Sequence, residues 1–169
     1  MGHGKRFLSL DEVHPGHYVK ISGKYRSGMG FLAVEIEYEM GSEWVLESLL
    51  QGVDGDGARL RLCDRWWQIP AGCSFKDESG QMAALRQLRP GQLIKLKGKL
   101  GPEEDFKIEK VRVKETLEFN VEMLKGTIQQ VHPEHGQLVL MGIPVYLDSR
   151  TVILRDQTID FLETTGNLN

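Results

Sequence analysis

The chain has 169 residues, of which 40% are hydrophobic and 27% are charged, and its formal net charge is −3. This hydrophobic fraction excludes an intrinsically disordered protein, which combines low hydrophobicity with high net charge. The slightly acidic balance argues against a dedicated nucleic-acid-binding protein, for which a strongly basic domain is expected. The length allows one medium domain or two small ones, each able to bury a core.

The sequence is not expected to contain a secretory signal or a membrane-spanning helix. The apolar stretch nearest the N-terminus covers residues 7–10, whereas a secretory signal needs about 7–15 such residues and a membrane helix about 20. The two cysteines, Cys63 and Cys73, are too few for a disulfide scaffold. We therefore expect a cytoplasmic protein with free thiols and no membrane association.

An internal repeat organises the chain. Residues 14–24 match residues 89–99 at a shift of 75 positions, with Pro-Gly, an alternation of apolar and polar residues and then a glycine in both segments. A shift of 78 positions aligns the apolar residues of 60–75 with those of 138–153. Because these features recur together, they predict a duplicated unit.

Within each copy every second residue is apolar, which is typical of a strand with one face in a core and the other in water. The predicted elements, in chain order, are strands over 16–24, 31–39, 47–54, 58–63 and 66–75, a short helix over about 80–88, and strands over 92–100, 105–113, 121–131, 137–142 and 144–153. Residues 7–13 precede the strands over 16–24 and 31–39, as the short helix precedes the strands over 92–100 and 105–113, and are expected to replace part of that helix in the second copy.

The order of these elements predicts the fold. In residues 46–114, three strands, a short helix and two strands follow one another, which is the order of an OB-fold, a five-stranded Greek-key barrel. Residues 1–45 and 115–169 contain the same parts in a permuted order. We predict an all-β protein of two five-stranded OB-like Greek-key barrels with a short helix, one barrel circularly permuted around the other. A domain-swapped homodimer is compatible with the same sequence.

Glycines and apolar residues recur in a characteristic pattern in residues 50–53, 88–98, 125–128, 136–140, 145–148 and at Thr151. In these segments the chain resembles a family of bacterial OB-fold domains of unknown function that often occur in tandem. It implies an OB-fold over nearly the whole chain. It implies no ligand and no catalytic residues, because the family has none that are agreed. Members often carry an export signal, which we expect this chain to lack.

The second and third strands of the central unit carry the candidate ligand-binding residues, because OB-folds commonly bind ligands on that face. If the leucines of the second strand point inward, Arg59 and Arg61 point outward. If Trp67 points inward, Trp66 and Gln68 face the solvent beside the arginines. An exposed tryptophan offers a stacking platform, and arginine adds charge and cation–π contact. The alternatives are that Trp66 packs against the other barrel or is covered by the arginines.

A second group of cations, Lys95, Lys97 and Lys99, alternates along one predicted strand. Residues 46–113 contain 12 Lys and Arg against 10 Asp and Glu, whereas the rest of the chain contains 9 against 14. The mildly basic central unit favours an anionic ligand, and the three lysines are placed to contact phosphates. We expect instead that they protect an exposed sheet edge against aggregation.

Other motifs give little support for catalysis. The right residue types for a metal site are present in His14, His17, His132, Glu134 and His135. A proline lies within each histidine pair, however, and indicates loops rather than one helical face. No nucleophile elbow, phosphate-binding loop or dinucleotide fingerprint occurs. We expect no enzyme activity and no cofactor, with a metal-dependent enzyme as a minor alternative.

The sequence therefore predicts a non-catalytic binding or assembly module. The ligand is expected to be a protein partner or a small anionic or sugar ligand at the face formed by Arg59, Arg61, Trp66 and Gln68. Weak binding of single-stranded nucleic acid to the same face is the alternative.

Overall fold

The computed structural model describes residues 5–56, 58–79, 81, 84–116 and 121–156, which form fourteen strands and three short 3₁₀ turns. The strands are β1 (Lys5–Leu8), β2 (Tyr18–Arg26), β3 (Gly30–Tyr38), β4 (Glu43–Leu49), β5 (Gly52–Asp54), β6 (Arg59–Leu62), β7 (Arg65–Gln68), β8 (Ser74–Lys76), β9 (Leu93–Leu100), β10 (Phe106–Lys114), β11 (Glu122–His132), β12 (Gln137–Leu140), β13 (Ile143–Tyr146) and β14 (Val152–Asp156). The 3₁₀ turns are Leu10–Glu12, Leu85–Gln87 and Pro133–His135. The chain is thus all-β, as predicted.

Five strands close into a barrel. In order around it, β11 pairs with β12, β12 with β13, β13 with β3, β3 with β2, and β2 again with β11. The β13–β3 contact is parallel, and the other four are antiparallel. Because β2 and β3 precede the central part of the chain and β11–β13 follow it, the predicted ladders between the N-terminal and C-terminal strands are present.

The central strands lie beside this barrel. β9 pairs with β4 and β10, and β10 pairs in parallel with β8. β5, β6 and β7 form a separate three-stranded sheet. β4 also pairs with β11, so the central strands and the closed barrel share one eleven-stranded sheet.

The hairpins β2–β3 and β9–β10 have the same internal geometry. Each has a register shift at a glycine, Gly23 in the first and Gly98 in the second. A Cβ atom at Gly23 would overlap the carbonyl oxygen of Leu32, and one at Gly98 would overlap that of Lys107. Both glycines are therefore required by close approach of the neighbouring strand, which explains why each interrupts an otherwise apolar alternation.

The core is built from the residues that the alternation assigns to the inner faces. The leucines of β6, Leu60 and Leu62, are fully buried, and Trp67 and Ile69 are buried beside them. They belong to one continuous cluster with residues of the closed barrel such as Phe31.

Two predicted strands are each divided in the structure. The predicted strand over 47–54 separates into β4 and β5, because the backbone of Leu50 bonds to Gly91 and Gln92 before β5 turns to pair with β6. The predicted strand over 66–75 separates into β7 and β8 around Pro70, which has no N–H for a ladder.

The predicted helix over 80–88 is wrong in the part of this segment that the structure describes. Only the 3₁₀ turn Leu85–Gln87 forms, and Ala84 before it is extended. The carboxylate of Asp77 accepts hydrogen bonds from the backbone N–H groups of Ser79 and Gln81, and such side-chain bonds compete with helix formation. Gly80, Met82 and Ala83 lie outside the described residues. Residues 10–12, within the stretch expected to replace part of a second helix, form a 3₁₀ turn after the short strand β1.

The edge-protection interpretation of Lys95, Lys97 and Lys99 is wrong. β9, which carries them, lies between β4 and β10 and is paired on both sides. Its lysines therefore do not guard a free edge. Within the described ranges, no helix combines the length and apolar character needed to cross a membrane.

Candidate functional site

The four candidate residues predicted from the sequence come together on the outer side of β6 and β7. Arg61 lies opposite Trp66 and Arg59 opposite Gln68 in the β6–β7 ladder. Trp66 is 43% exposed, whereas Trp67 is 8% exposed and faces the core. We call the surface formed by Arg59, Arg61, Trp66 and Gln68 the Trp66 face.

Both arginines of the Trp66 face lie over the tryptophan ring. The guanidinium carbons of Arg59 and Arg61 are 5.2 and 6.0 Å from the centroid of the Trp66 ring, within cation–π range. Each also has a carboxylate nearby, since Arg59 is 2.7 Å from Asp54 and Arg61 is 3.8 Å from Asp64. The ring is thus exposed but flanked by cations whose charge is partly neutralised.

The turn between β6 and β7 holds this face against the closed barrel. Cys63 and Asp64 have φ angles of 53° and 58°, as in the two-residue turns preferred by hairpins. The Asp64 carboxylate accepts hydrogen bonds from the Tyr25 hydroxyl (2.7 Å), the Ser27 hydroxyl (2.9 Å) and the Gly28 N–H (2.7 Å). These three donors belong to the β2–β3 hairpin.

The electrostatics of this contact favour the ionised form of Asp64. The backbone hydrogen bond from Gly28, together with side-chain bonds from Tyr25, Gln51 and Ser27, lowers the pKa of Asp64 from 3.8 to about 2. Burial raises the pKa of the Tyr25 hydroxyl, so this group stays protonated and acts as a donor. The contact is therefore a charge-assisted one in the neutral pH range.

A second polar contact joins the strands where β4 meets β11. The buried carboxylate of Glu122 accepts hydrogen bonds from the Tyr25 N–H (2.7 Å) and the Leu49 N–H (3.3 Å), and also from the Ser48 hydroxyl. Because its oxygens are occupied by donors from β2 and β4, Glu122 has a structural role at the junction.

An aromatic cleft opens beside the Trp66 face. Its volume is about 370 Å³, within the usual range for small-molecule sites. The Phe106 ring centroid is 5.8 Å from those of both Trp44 and Trp67, in edge-to-face geometry. Trp66 and Gln68 of the Trp66 face also line the cleft, so the two are continuous.

Polar side chains line the cleft together with the aromatic ones. Arg65 lies over the Trp67 ring at 5.7 Å and donates a hydrogen bond to the Gly142 carbonyl at 3.0 Å. The remaining polar side chains of the wall are Gln129, Glu104 and Asp105. Because Gln129 and Gly142 belong to the closed barrel, the cleft lies between that barrel and the central strands.

Arg65, Glu104, Trp44 and Phe106 line the cleft but could not be identified from the sequence alone as site residues. Trp44 and Phe106 read as ordinary inward residues of their strands, and their convergence depends on how the two parts of the chain pack. The run of acidic residues before β10 is the feature of the sequence that could have indicated Glu104 and Asp105. It does not distinguish a site, because the same composition is typical of a hairpin loop.

The histidines take part in local contacts. The rings of His14 and His17 are 5.8 Å apart, and His17 is hydrogen-bonded to the Tyr38 hydroxyl at 2.7 Å. His135 lies 3.8 Å from Glu134, its neighbour in sequence. In the part of the chain that the structure describes, no group of three or more His, Cys, Asp or Glu residues is placed to hold a metal ion.

The two cysteines are free. Burial raises the pKa of the Cys63 thiol to about 12, which suppresses the thiolate that a nucleophile requires. Burial also raises the pKa of the half-buried Cys73 thiol.

Comparison with known proteins identifies a family similar to the C-terminal part of the chain. A family described as a domain of unknown function (DUF5666) matches residues 125–165, which include β12–β14 and most of β11. No curated protein and no solved structure is significantly similar to the chain. The matched segment does not include the Trp66 face.

Proposed function

We propose that this protein is a non-catalytic binding module and that its ligand occupies the aromatic cleft and the adjoining Trp66 face. The observation that carries the proposal is the position of Trp66, an exposed ring that lines a cleft together with three further aromatic side chains, Trp44, Trp67 and Phe106. A concave apolar surface with a few polar groups at its rim is the usual composition of a ligand site.

The chemistry of the cleft favours a small sugar among the ligand classes that the sequence allows. Aromatic rings stack against the C–H faces of sugars, and the planar polar groups of Gln68, Gln129 and Arg65 are suited to hydroxyl groups. Cys63 is not a candidate nucleophile, because burial raises the pKa of its thiol to about 12. A protein partner that inserts a polar side chain into the same cleft is the second ligand class.

Binding of single-stranded nucleic acid to the Trp66 face is disfavoured by its charge arrangement. Arg59 and Arg61 are both engaged by aspartates, so the face offers little free positive charge for phosphates.

The architecture proposed for this module is two OB-like units. In the closed barrel, the order β11, β12, β13, β3, β2 matches an OB-fold whose last two strands come first in the chain. In the central part, β5–β6–β7 and β4–β9–β10–β8 supply the corresponding ladders in two sheets. The shared register shifts at Gly23 and Gly98 support an origin by duplication. We place the central unit at 46–114 and the permuted unit at 1–45 plus 115–169.

Titration with neutral oligosaccharides, followed by tryptophan fluorescence and calorimetry, tests the function. Trp66→Ala is expected to weaken binding by about tenfold or more, because the variant loses the apolar contact with the ligand, and burying a large apolar side chain contributes about 1.5–3 kcal/mol. Tyr146→Ala is the matched control, since Tyr146 is a similarly exposed aromatic residue (37%) that does not line the cleft. Equal losses in the two variants, or the absence of any saccharide binding, would contradict a sugar site in the cleft.

A further inference from the structure

A basic surface lies on the outer side of β8, β9 and β10, on strands that do not carry the Trp66 face. Its cations are Lys76, Lys95, Lys97, Lys110 and Arg112, and with Ser74 they line a cavity of about 220 Å³. We call this surface the basic face. The inward residues between these cations, Phe75, Leu96 and Val111, are buried in the core.

The strand register places like charges directly opposite one another. Lys110 lies opposite Lys97, and Arg112 lies opposite Lys95 on one side and Lys76 on the other. Directly opposed like charges destabilise a sheet. Burial lowers the pKa of Lys95, and the neighbouring cations Lys114 and Lys97 lower it further. Glu47 opposes this effect.

Two carboxylates border the basic face but do not neutralise it. Glu43 is 3.5 Å from Lys97, and Glu47 lies opposite Lys95 on β4. Among the described residues, Lys76, Lys110 and Arg112 make no ion pair. The side of the cavity formed by β8 and β10 therefore keeps its positive charge available.

The fold itself does not require this charge pattern. The β2–β3 hairpin has the same register, offset by 75 positions, and there Ser22 lies opposite Glu35 and Lys20 opposite Glu37. Glutamates thus occupy the positions that Lys110 and Arg112 occupy in β10. Edge protection is also excluded for β9 and β10, which are both paired on two sides.

We propose that the basic face binds a small anion carrying two or more phosphate groups. Cations from three adjacent strands converge on one cavity, so a single ligand reaches several of them at once. The cavity is smaller than the roughly 300–1,000 Å³ of sites for drug-sized ligands, and none of the described residues that line it is aromatic. Both features favour a compact anion over a nucleobase. This proposal is independent of the sugar site.

Calorimetric titration of the full chain with inorganic tripolyphosphate tests the proposal. The double variant Lys110→Gln with Arg112→Gln removes two exposed cations and is expected to weaken binding by about tenfold or more. The matched control is Lys20→Gln with Lys24→Gln, which removes two lysines from β2, and it is expected to bind tripolyphosphate as the unmodified protein does. The charge-preserving variant Lys110→Arg with Arg112→Lys is expected to retain binding.

The results with different phosphate compounds distinguish a free polyphosphate from a lipid headgroup and from a nucleic-acid strand. Binding of tripolyphosphate that weakens with added salt and depends on Lys110 and Arg112 supports the proposal. Stronger binding of vesicles containing a phosphoinositide, with the same dependence, assigns the phosphates to a lipid headgroup. Binding of a single-stranded oligonucleotide in the absence of tripolyphosphate binding would overturn the small-anion site in favour of a nucleic-acid strand. Equal affinity in both double variants would overturn it outright.

Discussion

At the scale of single residues, Asp64 is the side chain whose electrostatics are most clearly tied to the fold. Its carboxylate joins the β6–β7 turn, and hence the Trp66 face, to the β2–β3 hairpin through donors on Tyr25, Ser27 and Gly28. Replacing the carboxylate with a neutral amide keeps the size of the side chain and removes the charge, so Asp64→Asn isolates the charge-assisted part of this contact.

We expect Asp64→Asn to lower the free energy of unfolding at pH 7 by about 2 kcal/mol, the usual contribution of hydrogen bonds to a charged group. Because the folded pKa of about 2 lies below the usual 3.8, this stabilisation is complete above pH 4 and is lost as the pH falls toward 2. Urea unfolding at pH 7 and at pH 2.5 is the measurement. The difference between variant and parent is expected to shrink at the lower pH, and Asp11→Asn, at an exposed aspartate, is the control. A difference of the same size at both pH values would contradict this role for the ionised carboxylate.

The Trp66 face was predictable from sequence because strand alternation alone decides which side chains share a face. Arg59, Arg61, Trp66 and Gln68 lie on the outer side of two strands joined by a tight turn, and no distant part of the chain is needed to bring them together. The aromatic cleft was not predictable in this way. Its position depends on Phe106 and on Gly142, which are distant in sequence and meet only through packing.

At the scale of elements, Gly23 and Gly98 set the bend of their hairpins. Gly98→Ala is expected to destabilise the protein by about 1–3 kcal/mol, because a Cβ atom there meets the backbone carbonyl of Lys107 and the strand must shift. Gly23→Ala is expected to have a similar effect through Leu32. Gly55→Ala is the control, since no atom lies within 4 Å of its Cβ position and its effect should be within about 0.5 kcal/mol. The check is the urea midpoint of each variant, and unchanged stability in Gly98→Ala would rule out the close contact.

Strands were predictable where apolar and polar residues alternate over many positions, as in β2, β3, β9 and β10. The breaks within predicted strands were not, because they depend on a change of partner. Leu50 ends β4 since its backbone bonds to Gly91 and Gln92, which come more than forty positions later in the printed sequence. In the described part of residues 80–88 the predicted helix is absent for a local reason, since one carboxylate oxygen of Asp77 accepts hydrogen bonds from the backbone N–H groups of Ser79 and Gln81.

At the scale of the whole molecule, the pairing of β2 with β11 unites the two ends of the chain. Six residue pairs join these strands, and β11 continues into a ladder with β4. Glu122 on β11 adds hydrogen bonds to β2 and β4, and Asp64 joins the β6–β7 turn to the β2–β3 hairpin. The central strands and the closed barrel are therefore expected to unfold together, because the loss of β11 removes a partner from each.

A disulfide between β2 and β11 distinguishes closure within one chain from exchange between two chains. Ser22 lies opposite Met123, and directly paired residues of antiparallel strands have Cα atoms about 4.5–5.5 Å apart, which a disulfide can span. Oxidation of the double variant Ser22→Cys with Met123→Cys is expected to give a covalent monomer on a non-reducing gel, with a raised unfolding midpoint because the bond closes a long loop. The parent chain, with only its native Cys63 and Cys73, is the control. A covalent dimer in the variant alone would show that the N-terminal hairpin completes the barrel of a second molecule, because the same two strands would then pair across chains.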